Sequence, residues 1–164
     1  MIALKITNIK DFTRQLFLKE TFDGFLLSEA VITTFNTFTI DGFLNRDYYN
    51  DIELEEIGDR NYSTWKELRP VCLQLIKGNK LPLTFRITLR MKPENTHTIL
   101  SRNELEGQYD VDCLQLNILY KNGIITCTTG IALRQFTLDK TLDHVWDTMI
   151  RKFFAKNQIG FSES

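Results

Sequence analysis

The chain reads as an α+β domain in which an antiparallel sheet of about six strands carries helices on one side. Three observations predict it. Leu83, Phe85, Ile87, Leu89 and Met91 alternate with Thr84, Arg86, Thr88, Arg90 and Lys92, the period of a half-buried strand. Asn122-Gly123 stands between two apolar, β-branched runs, the strongest short hairpin signal. Near the end of the chain Leu142, Val145, Trp146, Met149, Ile150 and Phe153 recur at helical spacing, with Lys140, Asp143, Asp147 and Arg151 elsewhere around the helix.

Taken in order, Ile2, Leu4 and Ile6 alternate as a first strand, and Thr7 or Asn8 can cap the helix that follows. Ile9, Phe12, Leu16 and Phe17 share a face of that helix, and Asp23-Gly24 ends the segment. Phe25 to Thr34 and Thr37 to Leu44 are β-branched and aromatic, which predicts a hairpin turning at Phe35-Asn36. An irregular excursion follows, with one short helix near Asp51. Thr64 and Glu67 have capping-box spacing, and Leu68, Cys72, Leu75 and Ile76 continue a second helix. Gly78 reads as its terminator, while Pro70 predicts either a kink or a later start. After the alternating strand, Pro93 opens a helix running to about Arg102. Val111 to Tyr120 and Ile124 to Leu133 form the Asn122-Gly123 hairpin. A two-residue turn there sets Tyr120 opposite Ile125, Ile118 opposite Cys127 and Leu116 opposite Thr129.

These elements spell strand, helix, hairpin, helix twice, with pseudo-repeat halves at 1–79 and 80–164 inside a single domain, 1–164. Sliding-clamp and TATA-binding-type folds share this order in outline, as an analogy of element order alone. A nearer resemblance rests on Thr33 to Gly42 (TTFNTFTIDG), Trp65 to Pro70 (WKELRP) and Leu75 to Leu83 (LIKGNKLPL). These stretches resemble an uncharacterised protein family of anaerobic Gram-positive bacteria, over most of the chain. The resemblance implies a bacterial, cytosolic origin and brings no activity with it.

At 164 residues, with 43% hydrophobic and 25% charged residues, the chain has the composition of one globular domain. Its net charge of −1 gives no general attraction to nucleic acid or membrane. No apolar run approaches the roughly 20 residues that cross a bilayer. Met1 to Ile6 lacks the basic and apolar regions of a signal peptide. Cys72, Cys113 and Cys127 lie in apolar surroundings without Cys-x-x-Cys spacing, as small buried hydrophobes in a reducing compartment do. The expected location is cytoplasmic.

Catalytic and metal motifs are not recognised. There is no nucleophile elbow and no glycine-rich phosphate loop, and Gly78-Asn79-Lys80 reads as a helix end. His97 and His144 lack a second ligand at zinc-motif spacing, and the acidic run at 51–56 lacks the glycine turn of a calcium loop. No catalytic residue, metal or cofactor is assigned. Glu29 lies in the largely apolar stretch Leu26 to Ile32, so its carboxylate is expected to be desolvated, paired with a base across the sheet, or simply solvent-facing.

Charge is distributed unevenly. Residues 41–60 hold seven acids against Arg46 and Arg60, whereas 66–92 hold seven bases against Glu67. Arg86, Arg90 and Lys92 share one strand face at about 6.6 Å per two residues, and with Arg69 and Glu29 they form the candidate binding set. Solubility, edge protection or cover by the acidic segment would also account for such a row. Three readings follow in order: a non-enzymatic binding or accessory domain contacting a protein partner or a second copy, a nucleic-acid or phosphate-ligand binder using the basic face, and an enzyme with Glu29 near arginines. Aromatic residues do not interleave with the bases, which counts against single-stranded nucleic acid.

Overall fold

A computed structural model describes residues 1–163. Strand β1 (Ala3–Ile6) and helix α1 (Ile9–Phe17) precede the hairpin β2 (Phe25–Thr33) and β3 (Thr37–Asp41). A short 3₁₀ turn (Arg46–Tyr48), α2 (Asp51–Ile57) and α3 (Trp65–Ile76) then lead to β4 (Thr84–Met91) and α4 (Pro93–Arg102). The hairpin β5 (Val111–Lys121) and β6 (Ile124–Leu133), α5 (Thr141–Lys156) and β7 (Phe161–Glu163) complete the chain. The strands form one seven-stranded sheet, β3-β2-β4-β5-β6-β1-β7, antiparallel at every pairing. The strand beyond the expected six is β7, whose three residues are too few to show an alternating pattern. Among the described residues no helix is long and apolar enough to cross a membrane.

Pleating sorts each strand into two faces. Ala30, Ile87, Ile118, Cys127 and Leu4 stand in register across β2, β4, β5, β6 and β1, and all five are wholly buried. Against this face pack Phe12, Leu16 and Phe17 of α1, Trp65 and Cys72 of α3, and Leu142, Trp146, Ile150 and Phe154 of α5. Both indoles meet acceptors, Trp65 Nε1 donating to the Leu16 carbonyl and Trp146 Nε1 to that of Gln115, each at 2.8 Å. A large apolar body is thus buried without stranding its polar atom. The opposite face carries Arg86, Thr88, Asn117, Thr126 and Thr128, all partly or fully exposed.

Local chemistry accounts for most boundaries. Asn8 caps α1, its side chain accepting from the Asp11 N–H at 3.0 Å. Thr64 and Glu67 close both halves of the expected capping box on α3. Pro70 does not delay that helix, which runs without a break in its assignment from Trp65 to Ile76. The N–H it lacks would have served the Lys66 carbonyl, and both residues are exposed, so water can take that place. Gly78 is not the terminator: α3 ends at Ile76, with Lys77 extended at its C-cap. Asn122 and Gly123 have φ of 53° and 73°, the two positive angles of a type I′ turn, and the β5–β6 register is the one the turn predicts.

Two further expectations are corrected. Strand β3 stops at Asp41, short of Leu44, because Gly42 turns back onto β2 and its N–H donates to the Ser28 carbonyl at 2.9 Å. Asp147, expected on the polar side of α5, is 4% exposed and accepts from the Thr129 hydroxyl at 2.5 Å. The two halves share the order strand, helix, hairpin, helix, but the first adds the 3₁₀ turn and α2, the second adds β7, and the strands are placed differently. Strand β4 lies between the two hairpins, whereas β1 lies outside them, between β6 and β7.

Candidate functional site

The expected binding residues do not form one surface. Arg86 and Glu29 meet on the uncovered sheet face, where Arg86 Nη2 lies 3.8 Å from Glu29 Oε1 and both side chains are about half exposed. Of the expected fates of Glu29, pairing across the sheet and solvent exposure are the ones found; deep desolvation is not. Arg69 works elsewhere. It holds Asp23 at 2.9 Å and 3.2 Å through two nitrogens and donates to the Phe17 carbonyl, tying α3 to the end of α1. The Asp23 carboxylate, against the opposing effect of burial, holds that guanidinium even more firmly protonated than usual. Lys92 does not share the strand face expected of it: β4 ends at Met91, and Lys92, exposed in part, supplies the carbonyl that starts α4.

Arg90 is different. Strand β4 carries it on the same face as Arg86, but only 8% of it is exposed. Its Cζ sits 3.8 Å from the ring centroid of Tyr62, a cation–π stack. Its Nη2 is 3.6 Å from Asp112 Oδ2, an ion pair too long for a hydrogen bond. No described protein acceptor lies within hydrogen-bond distance of the guanidinium. The carboxylate is shared, because Asp112 Oδ1 accepts from Arg134 at 3.3 Å. Arg134 also reaches Asp110 at 3.0 Å and the Val111 carbonyl at 2.8 Å.

Three local features bring these groups together. Residues 61–64 make two isolated bridges, Tyr62 to Phe43 and Thr64 to Leu26 near the start of β2, and this lays Tyr62 over Arg90. A bulge between Val111 and Cys113 interrupts β5 at Asp112. Arg134 closes the other end of that hairpin, its N–H donating to the Asp110 carbonyl at 2.8 Å. With His97 and Thr96 of α4 they enclose a polar cleft of about 470 Å³. Its charged lining comprises Arg90 and Arg134 against Asp59, Asp110 and Asp112.

The acidic segment does not neutralise the basic strand by direct pairing. The charged partners of Arg86 and Arg90 come from β2 and β5, and the segment contributes Phe43 and Asp59 to the cleft wall. Tyr62, Asp112 and Arg134 were not singled out in the sequence, although one signal existed. Extending the Asn122-Gly123 register to the hairpin ends sets Asp112 opposite Leu133, hence Asp110 and Asp112 beside Arg134.

The cysteines are free and buried. Burial pushes the Cys72 thiol up to about 12, and raises those of Cys113 and Cys127. These are packed thiols in surroundings that oppose a thiolate. No cluster of three or more His, Cys, Asp or Glu side chains fit to hold a metal occurs among the described residues.

The chain belongs to DUF5721, a family of unknown function, whose model matches residues 15–162. Comparison with curated proteins and with solved structures gave no match.

Proposed function

For this member of a family without assigned activity, we propose a non-enzymatic binding domain that takes an anionic group, carboxylate or phosphate, into the cleft at Arg90. One observation carries the reading: an arginine 8% exposed, its guanidinium stacked on Tyr62 and open to the cleft, with no described protein acceptor for its five donors. A recessed charge is costly unless paired and hydrogen-bonded. Asp112, divided between two arginines, satisfies Arg90 incompletely. A ligand oxygen pair accepting from the guanidinium fork would complete it, each charged hydrogen bond contributing about 1.5–3 kcal/mol. Arg134, held by Asp110 and the Val111 carbonyl, keeps Asp112 in position.

The same geometry argues against an extended nucleic-acid interface. Arg86 faces Glu29, Arg69 faces Asp23 and Arg90 is recessed, so no exposed row of unpaired bases runs along β4. Free buried thiols and the absence of a membrane-length helix among the described residues agree with a bacterial cytosolic setting, which remains part of this proposal.

Thermal unfolding in chloride, inorganic phosphate and succinate at matched ionic strength tests the reading. Binding raises the midpoint in phosphate or succinate, by up to about 2.7 kcal/mol of stability at a hundredfold excess over Kd. Arg90→Met is expected to remove that rise. No rise in the wild type, or an equal one in the variant, refutes the site.

A second reading, self-association, is favoured by the β3 edge. That strand (TFTID) carries neither lysine nor proline, and Phe35 at its hairpin tip is 86% exposed beside Phe38. The other edge, β7, is only three residues long. Sedimentation over a concentration series checks it: dimerisation lost in Thr39→Lys supports the edge, and a monomer at every concentration removes it.

A further inference from the structure

Far from the Arg90 cleft, α1 and α3 leave a second depression of about 680 Å³ over the start of β4 and the tip of the β5–β6 hairpin. Its size falls within the roughly 300–1,000 Å³ of small-molecule sites. The walls are apolar: Ile9, Phe17, Leu73, Ile76 and Pro82, with Leu18 and Leu81 exposed at the lip. Phe85 and Tyr120 form the floor, stacked 5.1 Å apart at 9°.

Two features of this groove ask for more than an apolar occupant. Tyr120 lines the groove with its ring mostly buried, and its hydroxyl, bonded to no described residue, is open to the groove. The groove's charged residues are Lys10 and Arg14, one turn apart on α1. Neither pairs with a described acidic group, and no acid lines the groove. An apolar body, a phenol able to donate and two unneutralised cations together describe an amphipathic anion.

We propose that the α1–α3 groove binds a carboxylate with an alkyl body, the chemistry of a medium-chain fatty acid. The alkyl chain lies along Phe17, Leu73, Ile76 and Phe85. The carboxylate sits at the Lys10–Arg14 side, and the Tyr120 hydroxyl donates to an oxygen or to a bridging water. This site shares no residue with the Arg90 cleft, so either stands if the other fails.

Calorimetric titration with dodecanoate, below the concentration at which it forms micelles, is the test, with dodecanol and dodecylamine as tail-matched controls. The wild type should bind the acid, and bind the alcohol and amine about tenfold more weakly. Lys10→Gln with Arg14→Gln, both at exposed positions, should erase most of that preference while leaving the unfolding midpoint unchanged. Tyr120→Phe, which removes one oxygen and keeps the ring stack, should weaken the acid by a fewfold. No binding of dodecanoate, equal binding of dodecanol, or a double variant that keeps the preference overturns the proposal. Dimerisation abolished by Leu18→Asp would give the groove to a second copy, and overturns it too.

Discussion

A Cβ at position 42 would overlap the Leu27 carbonyl oxygen, so any residue larger than glycine must push β2 and the 42–44 segment apart. The same segment is tied to Ser63, which anchors Tyr62 over Arg90. Gly42→Ala is therefore expected to destabilise by about 3 kcal/mol in urea unfolding and to weaken ligand binding with it. The thiols make a pH prediction at the same scale. Cys72 is raised from an ordinary value near 9.0 to about 12, so it favours the folded state while neutral. That contribution is fully present below the ordinary value and is lost as pH rises toward 12. Cys113 and Cys127 act in the same direction. The urea midpoint should hold between pH 7 and 8 and fall from pH 9 upward, and thiol reagents at pH 8 should label only the unfolded chain. Rapid labelling of the native protein contradicts the burial. Asp147 was the residue least readable from sequence. Helical spacing put it off the apolar stripe, and the positions of Thr129 on β6 and of the Met1 ammonium, 3.2 Å from its other oxygen, explain why a carboxylate turns inward.

Elements were most legible where a few residues suffice to fix the backbone. Asn122-Gly123 sets a turn type, the turn sets a register, and the register holds along β5 and β6 as far as the bulge at Asp112. Gly123→Ala should cost about 1 kcal/mol and slow refolding, because a Cβ at positive φ is strained at the point where the hairpin closes. Thr64→Ala should cost about 1 kcal/mol by opening the capping box, measurable as a lower unfolding midpoint. Other boundaries depended on what lies outside the element. Pro70 is tolerated at an exposed stretch of α3, β3 ends early because Gly42 closes on Ser28, and β7 exists because β1 offers it an edge. Local propensity carries none of these facts.

For the whole molecule, strand order decides what the charged residues become. Arg86 and Arg90 do share a strand face, as their alternation predicts, but β2 supplies Glu29 to one and β5 supplies Asp112 to the other. The sequence shows the row of bases and not its neighbours, since β4 joins two hairpins that are separated from it in the chain. The sheet thereby divides the chain's chemistry between two ends. A polar cleft stands at the Arg90 end of β4, and an apolar groove with a cationic rim at its Phe85 end. The central claim is that Arg90 is held incompletely bonded to receive an anion. Its most direct test is calorimetric titration of inorganic phosphate and succinate into the wild type and Arg90→Lys, at low and moderate salt. The claim predicts saturable binding of at least one anion by the wild type, about tenfold weaker in the lysine variant, which keeps the charge and loses the fork. Equal affinity in both proteins, or no binding of either anion even at low salt, contradicts it.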